Sequence, residues 1–501
     1  MSHNRAVIPP DPTVALYTAE QVRAIERAAI DRCGIAVPEL MRRAADAAFA
    51  ALRRRWPDAR RIAVLAGSGN NGGDALLVGA LALQHGLDVD AFALAGSPGK
   101  DAAKARASFV EAGGRVASIE SADDLEDADV IVDGLFGIGL SRAIEGTAVA
   151  LIERLNATRR AVLAIDIPSG LCADTGMRLG TALRADATVS FIAWKRGLFT
   201  GDAAGCIGVA ELAPLDVPSA AYEDIVPDAA LLEGTATAAL PERRGNVNKS
   251  HFGHVLAIGG DLGMGGAVRL AGEAASRTGA GLVSVATRAL HVSALIAARP
   301  ELMVRAIEQD GTIADLIARA SVIAIGPGLG QQEWGVSLWN AARAADRPMV
   351  VDADALNLLA REPRVLRSAV LTPHPGEAAR LLGCETSEIQ RDRFAAARAL
   401  AQRYESVVVL KGAGSLVADP AGRVRVCPWG NAGMASGGMG DVLTGVIAAL
   451  LAQGLSPWDA ACAGVALHAR AGDRAAGDAP RGLLASDLFD ALRELVNGLD
   501  A

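Results

Sequence analysis

The chain of 501 residues is 51% hydrophobic, with 55 glycines and a positive mean hydropathy, which describes a globular, turn-rich protein of two or three domains. Its 49 basic and 57 acidic residues give a formal net charge of -8, and this mild acidity offers no footprint for nucleic acid or for an anionic membrane. Six cysteines without CxxC spacing argue against a zinc site or a disulfide framework, so a reduced, cytoplasmic protein is the simplest reading.

The polar start "MSHNRAVIPPDPTVAL" lacks the apolar segment of a signal peptide. After it, "TAEQVRAIERAAIDRCGIAVPELMRRAADAAFAALRRR" is predicted as two helices, with Thr18 capping the first. Short apolar runs then alternate with longer amphipathic ones: "IAVLAG", "DVDAFAL", "ADVIVDGLF", "AVLAIDIPSG" and "ATVSFIAW" read as strands, with helices such as "ALLVGALALQHG" and "GTAVALIERLNAT" between them. The pattern breaks in the proline-rich and small-polar stretch that begins "LDVPSAAYEDIVPD" and resumes with "HVLAIGG", "LVSVAT", "SVIAIGPGLG", "PMVVDADAL", "SAVLTPHPG" and "SVVVLKGAG". Continuous apolar strands alternating with helices predict parallel sheets covered on both faces, hence two α/β domains, over residues 14–225 and 235–498. The most apolar helix, "VLTGVIAALLAQG", is too short to span a bilayer.

In the first domain, "IAVLAGSGNNGGDALLVG" satisfies GxGxxG through Gly67, Gly69 and Gly72. A dinucleotide-binding turn is the ordinary meaning, yet Asp74 at the helix start would repel a pyrophosphate, and Asp88 and Asp90 fall too early in the next strand to hold a ribose. In an open parallel sheet the ligand crevice lies outside the carboxyl ends of the strands. That brings together "NNGGD", the "DGLFGIGL" loop and "DIPSG", where Asn71, Asp133 and Ser169 offer hard oxygens for a cation and Asp166 offers a carboxylate for proton transfer. The plainer alternative is that Asp133 and Asp166 cap helices and the glycines only make turns.

These three motifs, in this order over about residues 14 to 220, resemble the N-terminal, Rossmann-like three-layer domain of the bifunctional NAD(P)H-hydrate repair enzymes. The resemblance implies epimerisation at C6 of the damaged cofactor, with potassium held by Asn71, Asp133 and Ser169. It also implies substrate contacts from Asn70, Asn71, Gly72, Gly73 and Asp74, from Gly137, Ile138, Gly139, Leu140, Ser141, Arg142 and Ala143, and from Asp166, which would also handle the proton.

In the second domain, loops follow the strands at "GGDLGMGGA", "GPGLG", "TPHPGEAARL" and "LKGAGSL". Lys411 with Gly412, Ala413 and Gly414 suits nucleotide phosphates through charge and exposed N–H groups, although this is not a Walker loop. His374 ends a strand where it would bind substrate or serve structure alone. "NAGMASGGMGDVLTG" places Asp441 after glycines at the start of the helix "DVLTGVIAALLAQ", where unpaired N–H groups welcome an anion. A carboxylate there makes sense as a base for the group attacking a phosphate; the alternative is a helix cap.

Over about residues 235 to 495 these loops resemble the ribokinase-like, ADP-dependent dehydratase half of the same repair enzymes. By that resemblance Ala267, Gly328, His374 and Asp441 would meet the hydrate, while Lys411, Gly412, Ala413, Gly414, Ser415, Gly437, Gly438 and Gly440 would meet ADP or AMP, with magnesium bridging the phosphates and no carboxylate pair marking its ligands. The expected partners are the hydrate and ADP, in a homo-oligomer without nucleic acid or membrane. A second reading is a ribokinase-like vitamin-precursor kinase with a non-catalytic N-terminal binding module.

Overall fold

The computed structural model describes residues 13–499 apart from 122–124, 159, 235–239, 241–242, 244 and 309–311. The chain divides between Ala230 and Leu231 into two compact units.

The first unit opens with α1 (Ala19–Asp31) and α2 (Val37–Arg55). Thr18 caps α1 as expected: its hydroxyl accepts from Gln21 N at 3.2 Å, and the Gln21 side chain accepts from Thr18 N at 3.0 Å. There follow β1 (Arg61–Ala66), α3 (Asn70–Gln84), β2 (Asp88–Ala93), α4 (Lys100–Glu111), β3 (Val116–Ser118), β4 (Val130–Gly134), α5 (Thr147–Ala157), β5 (Ala161–Ile165), β6 (Ala187–Phe191) and β7 (Val209–Ala213). The sheet is wholly parallel in the order β3-β2-β1-β4-β5-β6-β7, with its turning point between β1 and β4. Central strands such as β4 are buried on both faces because α1, α2 and α3 cover one side and α5 the other, which is why they read as unbroken apolar runs.

One local expectation changes. The helix after β1 begins at Asn70, so "NNGGD" forms its first turn and Asp74 lies one turn in rather than at the start. Glycine permits this: a Cβ at Gly72 would stand 2.1 Å from the Gly67 carbonyl oxygen, and one at Gly67 would stand 1.9 Å from that of Leu135.

The second unit contains β8 (His254–Ile258), α6 (Gly265–Arg277), β9 (Leu282–Thr287), α7 (Ala289–Ala298), β10 (Met303–Ala306), α8 (Ala314–Arg319), β11 (Val322–Ile325), α9 (Glu333–Arg343), β12 (Met349–Val351), α10 (Ala353–Arg361), β13 (Ala369–Leu371), α11 (Pro375–Leu382), α12 (Thr386–Arg391), α13 (Arg393–Tyr404), β14 (Val407–Leu410), β15 (Leu416–Ala418), β16 (Val424–Val426), α14 (Met439–Ala452), α15 (Pro457–Ala476) and α16 (Leu488–Leu495). Its strands run β10-β9-β8-β11-β12-β13-β14-β15-β16. Seven are parallel, but β15 and β16 pair antiparallel, which corrects the expectation of parallel strands alone. The chemical reason is length: the five residues between Leu410 and Leu416 can turn the chain back but cannot make a crossover.

Helix α14 is almost wholly buried, packed on α6 and α15 and over the sheet. Gly445 allows the close approach, since a Cβ there would fall 2.0 Å from the Ala271 carbonyl oxygen. The cysteines are free thiols, and among the described residues no helix is long and apolar enough to cross a membrane.

Candidate active sites

In the first unit the loops after β1, β4 and β5 meet around a cavity of about 750 Å³. Asn70, Asn71, Asp74, Gly137 to Arg142 and Asp166 line it; Gly72 and Gly73 are buried in α3 instead, and Ala143 lies outside the lining. Helix α1 adds Arg23 and Glu26, α2 adds apolar side chains including Leu40 and Met41, and the segment after β6 adds Lys195. Arg23 Nη2 donates to the Ile138 carbonyl at 3.0 Å and so steadies the glycine loop.

Asp166 leaves β5 with φ +66°, a left-handed conformation uncommon outside glycine. Its Oδ1 accepts from Phe191 N at 3.0 Å and from the ammonium of Lys195. Asp74 is half-buried, with its Oδ1 enclosed and without a hydrogen-bond partner, and desolvation, reinforced by the charges of Asp166 and Glu26, pushes its pKa well above the usual carboxylate range. Burial, with Asp166 adding to it, also raises Glu26.

Asp133 and Ser169 lie fully buried beneath this wall. Asp133 Oδ1 accepts from Ser169 Oγ at 2.6 Å and from Leu135 N at 3.2 Å, and Oδ2 accepts from Ser169 N at 2.8 Å. Phe136 N donates to Ser169 Oγ at 2.9 Å, and Asn71 Nδ2 donates to the Phe136 carbonyl at 3.1 Å, so Asn71 and the Asp133–Ser169 pair meet at Phe136. Burial pushes Asp133 up to about 6, against the hydrogen bonds from Ser169 and Leu135. A buried carboxylate among hydroxyl and carbonyl oxygens is a donor set suited to a hard cation.

In the second unit the central charge pair was not legible as a site. Asp352, buried at the end of β12, accepts at Oδ1 from Lys411 Nζ at 2.7 Å and Thr372 Oγ1 at 2.8 Å, and at Oδ2 from Thr444 Oγ1 at 2.9 Å. Glu377 Oε2 stands 3.7 Å from the same ammonium. The sequence therefore placed Lys411 at the right strand end, and the structure turns its ammonium onto these carboxylates. The loop that carries it is held by the buried Arg393, which donates to the carbonyls of Leu410 and Lys411 at 3.3 Å. Within it Ser415 Oγ donates to the Gly412 carbonyl at 3.0 Å, and Gly412 and Gly414 take φ +142° and +60°.

The start of α14 abuts this pair. A Cβ on Gly440 would lie 3.3 Å from Lys411 Nζ, and Gly438, the cap, takes φ +91°. Asp441 is in the first turn, where backbone N–H groups have no intrahelical partner. Burial first, and the Asp352 charge second, push its pKa up to about 7 against the pull of Lys411.

His374 caps α11: Nδ1 accepts from Gly376 N at 3.0 Å, and Glu377 Oε2 accepts from His374 N at 2.8 Å. Burial lowers its pKa, with Glu377 opposing, which suits a neutral ring that accepts at Nδ1. Gly328, φ +58°, faces Ala267, whose Cβ would be 3.3 Å from one on the glycine. Among the described residues no group of three His, Cys, Asp or Glu side chains is arranged to hold a metal ion. With Asp352 already satisfied by Lys411, Thr372 and Thr444, the residues present fit magnesium only as an ion carried by nucleotide phosphates.

Four side chains that sequence reasoning missed are thus central: Glu26, Lys195, Asp352 and Glu377. Asp352 had a usable signal, since "PMVVDADAL" puts an aspartate directly after an apolar strand just as "AVLAIDIPSG" does. Lys195 carried only a weak one, a lysine inside the apolar stretch "FIAWKRGLF".

Comparison with known proteins agrees with this division. Residues 255–494 match the family described as NAD(P)H-hydrate dehydratase, and residues 37–197 match the one described as YjeF-related protein N-terminus. The bifunctional NAD(P)H-hydrate repair enzyme Nnr of Coxiella burnetii is 47% identical over 96% of this chain and 99% of its own, and that of Escherichia coli is 45% identical over 96% and 94%. Among solved structures, a ribokinase-like superfamily protein from Enterococcus faecalis is similar at 29% identity and a TM-score of 0.50, over 54% of this chain and 95% of its own. With whole-length relatives at such identity, the chain belongs to the bifunctional NAD(P)H-hydrate repair enzymes.

Proposed function

We propose that the first unit interconverts the R and S hydrates of NAD(P)H at C6 and that the second dehydrates the S form at the expense of ADP, giving AMP and phosphate. The vitamin-precursor kinase reading gives way, because the relatives matched over 96% of the chain are repair enzymes. The observation that carries the dehydratase chemistry is Asp441, in the first turn of α14 beside the Lys411–Asp352 pair and poised to titrate at about 7.

Hydroxide leaves carbon badly, so the C6 hydroxyl is phosphorylated first. Asp441 takes the hydroxyl proton as the oxygen attacks the terminal phosphoryl group of ADP. The N–H groups from Gly437 to Gly440 and the Lys411 ammonium face the charge that builds on the phosphoryl oxygens. AMP departs, the C6–O bond then breaks with loss of a proton from C5, and phosphate carries away the oxygen, leaving the dihydronicotinamide ring. Lys411, Gly412, Ala413, Gly414 and Ser415 hold the nucleotide, and Ala267, Gly328 and His374 shape the hydrate side. Magnesium, when carried in with the nucleotide, would supply positive charge against its phosphates.

In the first unit Asp166 binds the hydrate and moves its proton, while the glycine loops, through Asn70 and Gly137 to Arg142, line the pocket. Asn71, Asp133 and Ser169 would hold potassium, which would supply fixed positive charge to the site. The deciding experiment follows the near-ultraviolet absorbance of the dihydronicotinamide after the protein meets mixed R and S hydrates with ADP and magnesium, with ATP in parallel. Recovery of the whole mixture is expected; recovery that stops at the S fraction would remove the epimerase.

A further inference from the structure

Lys195 is a buried charge to which the mechanism above gives no task. Its side chain is 0% exposed although it stands at the cavity wall. Its nitrogen meets Asp166 Oδ1, Ser190 Oγ at 3.1 Å and the Phe191 carbonyl at 2.9 Å, three acceptors that suit an ammonium; burial lowers its pKa, and the Asp166 carboxylate opposes that and favours the charged form. Burying an ammonium is unfavourable unless its partner stays, and this one meets an aspartate whose backbone is itself in a left-handed conformation. Among the described residues, hydrogen bonds reach Oδ1 of Asp166 and none reaches Oδ2.

We propose that Lys195 is a positioning residue for epimerisation: it locks Asp166 through Oδ1 so that Oδ2 receives the C6 hydroxyl proton, while Asp74 gives a proton to the ring nitrogen. This rests on the epimerase reading above. The charged groups around the cavity are Arg23 and Glu26 from α1, Asp74 from α3, Arg142 from the loop after β4, Asp166 after β5 and Lys195 after β6, with α2 contributing apolar side chains. Three carboxylates against one buried ammonium cannot all be ionised cheaply, and Asp74, whose Oδ1 is enclosed with no hydrogen-bond partner, is the one kept neutral.

The step balances without a redox partner. The O–H proton passes to Asp166, its bonding pair forms C6=O, the C6–N1 bond breaks with its pair to nitrogen, and the Asp74 proton caps N1. Rotation about C5–C6 turns the aldehyde over. Reclosure then returns one proton to Asp74 and the other to the oxygen, on the opposite face.

The test uses the full chain and the R hydrate, with S-hydrate dehydration in the same preparation as a control. Lys195→Met should lower kcat for epimerisation by roughly 10²-fold while KM stays within about twofold. Because a carboxylate that loses a neighbouring cation takes up its proton at higher pH, the acidic limb of the kcat profile should move upward. Lys195→Met combined with Asp166→Asn should be no slower than Asp166→Asn alone. An unmoved acidic limb, or losses that multiply in the double variant, would overturn the inference and leave Lys195 a structural residue. Should Lys195→Met fail to fold, Asp74→Asn replaces a neutral group by a neutral one; a large loss of epimerisation supports the relay and a full rate overturns it. Asp166→Asn at full rate would sink the epimerase reading itself, a different result from Asp166→Asn inactive with Lys195→Met unchanged.

Discussion

The two units solve the placing of a working carboxylate with the same parts in different roles. Each sets a lysine against a strand-end aspartate, Lys195 with Asp166 and Lys411 with Asp352, and each adds a half-buried aspartate near the start of a helix, Asp74 on α3 and Asp441 on α14. In the first unit hydrogen bonds occupy one oxygen of the paired aspartate; in the second they occupy both, through Thr372 and Lys411 on one side and Thr444 on the other. A carboxylate with no free oxygen can orient a lysine but cannot easily accept a substrate proton. The difference supports the proposed bases, Asp166 in the first unit and, in the second, the unpaired Asp441 rather than Asp352.

The largest effect that would break this assignment is expected at Asp441. Asp441→Asn should lower dehydration of the S hydrate by about 10²–10⁴-fold and leave epimerisation and nucleotide binding nearly unchanged, as followed by absorbance and by calorimetric titration with ADP. The same variant bears on stability. The folded state holds the Asp441 proton up to about pH 7, whereas the unfolded chain releases it near the ordinary carboxylate value, so this group's contribution is full in acid and lost as pH rises through about 7. Above that pH Asp441→Asn should raise the melting temperature, and a lowered one would show that the carboxylate serves structure.

The proposed cation site comes next. Ser169 ties Asp133 to the Phe136 peptide, so Ser169→Ala should weaken potassium activation of epimerisation by roughly 10–100-fold with dehydration unaffected. Epimerisation that is indifferent to potassium in the unsubstituted protein would remove the ion from the site. A smaller effect is the pH profile: kcat/KM for dehydration should fall by about tenfold per unit below about pH 7, as Asp441 takes up its proton. A flat profile down to pH 5 would point to another base.

Much of this was legible because parallel sheets put their functional loops at strand ends. Asp166, Asp133 and Lys411 lie at the ends of apolar runs, a glycine-rich stretch announces the helix start at Asp441, and glycine patterns mark the sharp approaches at Gly67 and Gly328. What escaped depends on distance in the chain. Lys195 meets Asp166 across 29 residues and Asp352 meets Thr444 across 92, and neither pairing has a local periodicity to announce it. Glu26 looked like an ordinary residue of an amphipathic helix until α1 was seen to face the cavity. The antiparallel β15 and β16 were missed for a simpler reason: strands of three residues, one of them with Arg425 at its centre, are too short to carry a direction.

The smallest expected effect sharpens the comparison most. Thr444→Val removes the hydrogen bond to Asp352 Oδ2 without altering volume much, and so gives Asp352 the open oxygen that Asp166 has. Because Lys411 and Thr372 still hold Oδ1, the pair should survive, at a stability cost of about 1.5–3 kcal/mol for a lost bond to a charged acceptor. Dehydration should then fall only a few-fold, since Asp441 keeps its place while Lys411 gains some freedom. If instead Thr444→Val disabled dehydration as fully as Asp441→Asn, the Thr444 hydroxyl would have to be part of a proton path through Asp352. Occupied oxygens would then no longer separate the two sites, and Asp352 would have to be counted with Asp166 as an acting carboxylate.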